Sequence, residues 1–506
     1  MSGEAASLSS AFARFSAFER DADLFSREVC GVRFWHYVRF NVYSTLVLPH
    51  IVPMDAAHPD MCHRGQSRTR RGFFGRVFVR LRRIVRSLRL LVVRNPSLAL
   101  RRREVLISLA PRIARLADGR SVRLAVDFFV GGLKSRWCVL ELPIVGSGYP
   151  HHDGIGRKFC WEAVKRAIVR YRKSRESAAA RPEISAAAKQ LADEIANRIG
   201  IAVDEGFLMD RIESAVVLEH AAVPLLRKWL RRLQVKCVVE VVHYASANMA
   251  LTRAAHEEGI PVVELQHGTV YPAHAAYNLP VKDSCCSPDY LLGWGESWLA
   301  QTSNFPRRDS IAVGYPYIES FRLASPRRAA ADGAYRVLFI SQGTVGRELA
   351  DMAVELSRLL PQPRFRISFK LHPSEMLSWR RLYPCLADSA VAVVDDALRS
   401  VYECFADGDV TVGACSTALI EGFVWGLKAY IIRGLAGADT MAQFCNGEQA
   451  MYVDTVDELA SCISGDAARI AGEGADFDRE TYFRSGSADT MAKLIDRLAE
   501  RGAIDT

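Results

Sequence analysis

Ile260-Pro261-Val262-Val263-Glu264-Leu265-Gln266-His267-Gly268 decides how this chain is read. Ile260 to Leu265 is a short, largely apolar run without strict alternation, as in a parallel strand covered on both faces. It ends abruptly in polar and small residues. In an open α/β sheet, ligands bind beyond the carboxyl ends of the strands. A glycine there lets the backbone turn tightly and approach a ligand. A histidine there donates to a phosphate or accepts a proton near neutral pH. His267 is therefore the first candidate for a catalytic base, with Gln266 and Gly268 beside it on one wall of a cleft.

Similar runs flank this one. Before it come 104–110, 122–130, 136–145 and 235–243, and after it 289–294 and 310–314; helical patterns between them predict βαβ units. The last third repeats the rhythm at 335–341, 365–371, 391–394, 409–412 and 429–432. A break at Gly314-Tyr315-Pro316 and the polar, Ala-rich stretch 323–334 separates the two halves. With 506 residues, two domains plus extra segments are expected. The predicted organisation is an aromatic-rich helical segment over 1–60, an arginine segment over 61–103, and two Rossmann-like domains over 104–321 and 322–506, the second ending in a helix. The fold class is α/β, two Rossmann-like domains facing a cleft, with an N-terminal helical extension.

Three loops of the second half carry chemistry. Ser341-Gln342-Gly343-Thr344 follows the strand Tyr335–Ile340. Lys370-Leu371-His372-Pro373 closes the strand Phe365–Leu371, and two-residue alternation puts Lys370 and His372 on one side. Ser416-Thr417-Ala418-Leu419-Ile420-Glu421 follows a strand through Gly413-Ala414-Cys415, giving a strand, a small-residue loop and a helix start whose free amides suit a phosphate. Glu421, about a turn inside, suits ribose hydroxyls. Gln342, Gly343, Thr344, Lys370, His372, Pro373, Ser416, Thr417 and Glu421 thus form a candidate nucleotide site. Neither Gly-x-Gly-x-x-Gly nor a P-loop lysine motif is present, which argues against a dehydrogenase or an ATPase.

The order Gln266-His267-Gly268, Gly314-Tyr315-Pro316, Lys370-Leu371-His372-Pro373, Ser416-Thr417-x-x-x-Glu421 resembles bacterial capsule and lipopolysaccharide glycosyltransferases of the GT-B fold. Kdo transferases of capsule assembly, bacterial sialyltransferases and CDP-glycerol phosphotransferases are similar. The resemblance covers about 235–435. It implies that His372, Ser416 and Thr417 hold the donor phosphate, with donor on the second half and acceptor on the first. A metal-independent glycosyltransferase is expected, moving a sugar from a nucleotide donor, CMP-linked, to a lipid-linked glycan, with no cofactor beyond that substrate. A CDP-polyol phosphotransferase, a nucleotide-sugar 2-epimerase and a non-catalytic membrane-bound scaffold are the alternatives. Sialyltransferases take their base from an acidic-acidic-Gly motif, but here Glu257-Glu258-Gly259 ends a helix before a strand and reads as a cap. His267 stays first for the base and Asp153, in His151-His152-Asp153-Gly154, second. Asp407-Gly408-Asp409 leads into a strand instead of leaving one, the wrong edge for a metal site.

The formal net charge of +9 is local. Fourteen arginines, with no lysine or acidic residue, lie between Met61 and Arg103; without them the balance is negative. From Phe74, apolar residues at 74, 77, 78, 81, 84, 85, 88, 91 and 92 make one helical stripe, opposite Arg76, Arg80, Arg83 and Arg86. Such a helix lies in the headgroup layer with its arginines on anionic lipid. Nucleic acid, the rival partner for such an arginine run, is not expected, because the apolar face is lipid-like and no nucleic-acid module surrounds it. No run suits a spanning helix or a signal peptide, and the twelve scattered cysteines read as reduced thiols. The expected location is cytoplasmic, peripheral on the inner face of the cytoplasmic membrane.

Overall fold

The computed structural model describes residues 8–47, 85, 87–109, 113–116, 119–143, 149, 152–282, 284–326, 333–396, 399–469 and 478–504. Its strands in chain order begin with β1 (Val105–Leu109), β2 (Ile113–Arg115), β3 (Ser121–Arg123), β4 (Trp137–Glu141) and β5 (Arg157–Cys160). Next come β6 (Cys237–Glu240), β7 (Val262–Leu265), β8 (Tyr290–Gly293) and β9 (Asp309–Ala312). The second half holds β10 (Tyr335–Ile340), β11 (Phe365–Lys370), β12 (Ala392–Val394), β13 (Val410–Gly413), β14 (Lys428–Ile432) and β15 (Ala450–Val453).

The first sheet runs β5-β4-β1-β6-β7-β8-β9 and the second β12-β11-β10-β13-β14-β15. Every pairing within both sheets is parallel. With the antiparallel β2–β3 hairpin set aside, each order is that of a doubly wound sheet, in which the chain first builds outward one way and then reverses. The protein is thus α/β with two Rossmann-like domains of GT-B type and N-terminal helices. Burial explains the parallel choice: β1, β6, β7 and β8 are buried at every residue, so crossover helices must cover both faces. The reversals fall between β1 and β6 and between β10 and β13, and these are where ligands bind in such sheets.

The predicted strand over 122–130 shrinks to β3, because the chain leaves it in turns and a short 3-10 helix, Val130–Gly132. The edge strands β5 and β15 escape the hydropathy reading, since Arg157-Lys158-Phe159-Cys160 is half charged and Ala450-Met451-Tyr452-Val453 is only four residues long. Helices Leu8–Asp21 and Trp35–Val42 form the N-terminal segment. They bury Phe15, Phe18, Phe34, Trp35 and Tyr37 in the apolar cluster that also holds one face of the first sheet and parts of the second domain. The C-terminal helix Ser487–Arg501, assigned from the sequence to the second domain, crosses back to the first. Its Met491, Leu494, Ile495 and Leu498 pack on Val105, Ile107, Val139 and Val239, and Asp496 accepts the Lys134 and Ser135 amide hydrogens at 2.9 and 3.0 Å.

Gly314 opens the passage to the second domain. Its φ is +90°, and a Cβ there would lie 1.9 Å from the Arg484 carbonyl oxygen. Glycine is demanded twice, by conformation and by space.

Candidate functional site

Two of the sequence-selected loops of the second domain meet at its reversal. Ser341–Val345 leaves β10 and Ala414–Ser416 leaves β13. Gln342 Oε1 accepts from the Cys415 amide at 3.3 Å and from its thiol at 3.0 Å, tying the loops together. Ser416 Oγ caps the helix Thr417–Glu421 by accepting from the Ala418 amide at 3.3 Å. The Tyr402 hydroxyl donates to Glu421 Oε2 at 2.9 Å; burial, then the Glu421 charge, hold that phenol well above its ordinary range.

Lys370 and His372 sit one strand out, on β11 and beyond it, and they differ in exposure. β11 ends at Lys370, so strand alternation no longer governs residue 372. Lys370 is buried; its ammonium reaches the Asp396 carbonyl at 3.4 Å, and burial lowers its proton affinity. His372 is exposed, with Nδ1 2.7 Å from Ser374 Oγ and its amide on Glu375 Oε2 at 2.9 Å. Pro373 follows, also exposed.

At the reversal of the first domain, the loop leaving β6 carries Val242 at φ +66°. A β-branched residue there is strained, and such strain clusters at functional sites. Asn248 holds the loop, donating to the Val241 and Val242 carbonyls at 2.8 and 3.0 Å while Ser108 of β1 donates to its side chain at 2.7 Å. The loop thereby presents His243 and Tyr244 to the end of β7. The sequence reading missed both; two adjacent aromatics after a strand-like run were the available signal.

His267 lies at the centre of this group. Its Nε2 is 3.1 Å from the Tyr244 hydroxyl; its Nδ1 is 3.3 Å from the Tyr277 hydroxyl and 3.6 Å from Glu264 Oε1. Tyr277 donates to Glu264 Oε1 at 2.9 Å, and the His243 ring donates to Oε2. Glu264 is wholly buried. Burial alone would raise its carboxyl, but His243 and then His267 override this and hold it at about 2. Burial, then His267 and His243, push the neighbouring His274 down to about 3. Gln266 is structural: its Oε1 accepts from the Trp294 amide at 2.8 Å and its amide group donates to the Gly268 carbonyl at 3.0 Å. Gly268 faces open space.

The chain following His267, residues 268–279, is a strap between the domains. Thr269 Oγ1 lies 2.8 Å from Thr417 Oγ1, and Gln443 Nε2 donates to the Val270 carbonyl at 3.2 Å. The structure therefore brings Thr269, two residues beyond His267, against Thr417 from the opposite domain.

Asp153 is not brought there. Its Oδ2 accepts from the Ser121 amide at 2.7 Å on the hairpin strand β3, and β1 and β6 separate β4 from β7 in the sheet. In the same region His152 Nε2 lies 2.6 Å from Glu141 Oε1 in a buried pair. Glu258 pairs with Arg227 at 2.7 Å and Arg231, and hydrogen bonding to Arg231 lowers its proton affinity; Gly259 (φ +68°) follows it as a helix end. Asp409 Oδ2 accepts from the Arg336 amide at 2.8 Å, at the entrance to β13. Among the described residues no cluster of three or more His, Cys, Asp or Glu side chains is arranged to hold a metal.

Arg76, Arg80, Arg83 and Arg86 lie outside the described residues. The tail of that segment is helical over 87–93 and docked on the edge strand β5: the Arg94 carbonyl accepts from the Cys160 amide at 3.0 Å, and the Arg94 side chain pairs with Glu141 at 2.8 Å. Much of its outer side is apolar. Val85, Leu88, Val92, Val93, Leu98 and Leu100 are six of the eleven exposed large hydrophobic residues described. No described helix is long and apolar enough to cross a membrane.

No protein-family model matches the chain, and a search of curated proteins gives no match. Solved structures similar to it include a UDP-GlcNAc 2-epimerase from Neisseria meningitidis bound to UDP-GlcNAc, at 11% identity and TM-score 0.44 over 77% of this chain and 98% of that one. The spinosyn rhamnosyltransferase SpnG is similar at 12% and 0.40 over 79% and 96%, and the glycotransferase of kitacinnamycin at 16% and 0.41 over 58% and 84%. Likenesses this distant carry no argument about activity; the fold rests on the two strand orders.

Proposed function

We propose that this protein is a metal-independent glycosyltransferase that moves a sugar from a nucleotide donor, CMP-linked, to a hydroxyl of a lipid-linked glycan in bacterial capsule or lipopolysaccharide assembly. The observation that carries the reading is the meeting of the His267 strap with the Ser416–Thr417 loop between the reversals of two doubly wound sheets. The second domain offers loop amides, hydroxyls and His372 to a donor phosphate, where positive groups and oriented amides stabilise the charge that develops on departure. The first offers His267 as proton acceptor, backed by an ionised carboxylate. Contact between the domains excludes the water that would hydrolyse the donor.

The enzyme works, in this reading, on the inner face of the cytoplasmic membrane. Exposed Leu88, Val92, Val93 and Leu100 and the neighbouring Arg89, Arg101 and Arg102 continue the stripe of the arginine segment. Apolar residues ringed by arginine suit an anionic lipid surface.

A thermal-shift panel of CMP, CDP, UDP and GDP tests the donor, since a ligand that binds only the folded state raises its stability. Titration calorimetry with the best nucleotide should show weakened binding by His372→Ala and Ser416→Ala; unchanged affinity in both removes the donor assignment. A product epimerised at C2 without any acceptor would point to a nucleotide-sugar 2-epimerase instead.

A further inference from the structure

Glu264 and Glu240 are register partners on β7 and β6, both wholly buried, yet they are kept in opposite states. Burial, then the charge of Glu264, push the Glu240 carboxyl far up, and the Thr252 hydroxyl 3.0 Å away is its hydrogen-bond partner. This core therefore accommodates a neutral carboxyl. An ionised one costs several kcal/mol to bury, and stability alone is weak grounds for keeping it. What sets Glu264 apart is what faces it. His243 donates to it from the ring and from the main chain (3.3 Å), Tyr277 donates at 2.9 Å, and His267 Nδ1 lies 3.6 Å away.

We propose that Glu264 is a positioning residue for His267: it fixes the Nδ1–H tautomer, so that the Nε2 lone pair points away from the core as the proton acceptor. This rests on the transferase reading above and adds a residue to it. In the resting protein the Tyr244 hydroxyl, 3.1 Å from Nε2, occupies the place of the acceptor hydroxyl. In the reaction the acceptor O–H proton passes to Nε2. The freed oxygen pair forms the bond to the anomeric carbon, and the bond from that carbon to the nucleotide phosphate breaks with its electron pair staying on the phosphate. The imidazolium so formed faces the Glu264 carboxylate, which stabilises it as it appears. The other titratable groups around His267 are Tyr244 and His243 from the β6 loop and His274 and Tyr277 from the strap. Arg39 of the N-terminal helix reaches the same strap, but its charge is matched by Glu19.

The tautomer is read directly by NMR of the full chain labelled with ¹⁵N-histidine, the His267 signals assigned by their loss in His267→Gln. The expected result is Nδ1–H at neutral pH, with Nε2 carrying the lone pair. A carboxylate this close raises an imidazole midpoint by about one to three pH units, so Glu264→Gln should lower the His267 titration midpoint by at least about one unit. Glu264→Asp, which keeps the charge, should restore part of it. The Nε2–H tautomer in the unmodified protein, or an unmoved midpoint in a folded Glu264→Gln, overturns the proposal, and the tautomer result needs no variant to fold. Turnover is then measured with the sugar conjugate of whichever nucleotide stabilises the protein. Glu264→Gln should lower kcat about 10²- to 10⁴-fold with little change in KM. If the NMR coupling is present but His267→Gln turns over normally, the reading of His267 as base fails and the proposal with it; if the coupling is absent, the proposal alone fails.

Discussion

Arg39 ties the N-terminal helices to the strap that follows His267, and replacing it tests whether residues 8–47 belong to the catalytic unit. The guanidinium is 4% exposed and its partner Glu19 wholly buried. It donates to Glu19 Oε1 at 2.6 Å and Oε2 at 2.8 Å, to the Asn278 carbonyl at 3.2 Å, and to the Ala275 carbonyl. Arg39→Met keeps most of the volume and removes the cation. Among the described residues, Glu19 then keeps the Trp35 indole N–H, 2.7 Å from Oε1, as its side-chain donor. Breaking a buried pair from one side costs about 3–5 kcal/mol, and the two strap carbonyls lose their donor as well. Taking about 4 kcal/mol, and about 2–4 °C per kcal/mol for a unit of a few hundred residues, the melting temperature should fall by about 8–16 °C. Glu19→Gln alone strands the arginine and should cost a similar amount. The double variant leaves no buried charge and should recover much of the loss, a coupling that a double-mutant cycle measures. Hydrogen exchange of the Tyr277 and Asn278 amides, both bonded to the His274 carbonyl, should quicken in either single variant. A melting temperature within about 2 °C of the unmodified protein, with strap exchange unchanged, would show that the N-terminal helices do not hold the strap.

Removing residues 66–84 should release the protein from anionic vesicles in co-sedimentation while its melting temperature holds; stopping at 84 spares Ser87 on Glu162, Arg94 on Glu141 and Ser97 under the Trp229 indole. Raised salt should weaken vesicle binding only partly, because the apolar side is not screened. His274 sets a pH dependence: its folded value of about 3 lies below the ordinary 6.5, so the unfolded chain takes up a proton that the folded one refuses. The contribution of His274 should therefore fall as pH drops below about 6.5, by up to about 1.4 kcal/mol per unit, and between pH 7 and 5 the urea midpoint of the unmodified protein should decline relative to that of His274→Gln. Glu264 adds its own loss only below about 4.5, the ordinary carboxyl value, while Glu240, held neutral in the fold, contributes a slope of opposite sign across the same window, so the histidine is read from the difference between the unmodified protein and His274→Gln. Gly314→Ala should lower the melting temperature and loosen the C-terminal segment, because a methyl group collides with the Arg484 carbonyl at a backbone angle that L residues avoid; normal melting with normal proteolysis near Arg484 would refute this.

The fold was legible because strands buried on both faces are largely apolar, and Val238, Val239, Val262 and Val263 cannot be read as a half-exposed surface. The loops were legible because small and polar residues interrupt those runs abruptly. Orientation was not legible. Lys370 and His372 share the parity of a strand, but the strand ends between them, and nothing in Lys370-Leu371-His372-Pro373 marks that end. Nor did the sequence place Ser487–Arg501 on the first sheet. Its amphipathic pattern requires an apolar partner but names none, and the partner strands lie hundreds of residues earlier. The edge strand β5 was missed for the complementary reason: with a neighbour on one side only, it needs no continuous apolar run, and it opens on Arg157-Lys158.

The same limit explains why a histidine could be chosen from the sequence but its support could not. Glu240 and Glu264 each follow a pair of valines within an apolar run, and by composition they are equivalent. Their difference arises only once the β6 loop folds over Val242 and lays the His243 ring against one carboxylate, and once the strap returns Tyr277 to the same oxygen. These contacts span 21 and 13 residues and join separate elements of the first domain. Without them both carboxyls would be neutral in so dry a setting. The charge under His267 is therefore a property of the assembled loop and strap, and the strap is held from one end by Arg39 and from the other by Thr417. A donor that displaces the Thr269–Thr417 contact would free one of these two anchors, so nucleotide binding and the setting of His267 are expected to be linked. Thr417→Val, which removes that contact without adding volume, should then quicken exchange in the strap even in the absence of any nucleotide.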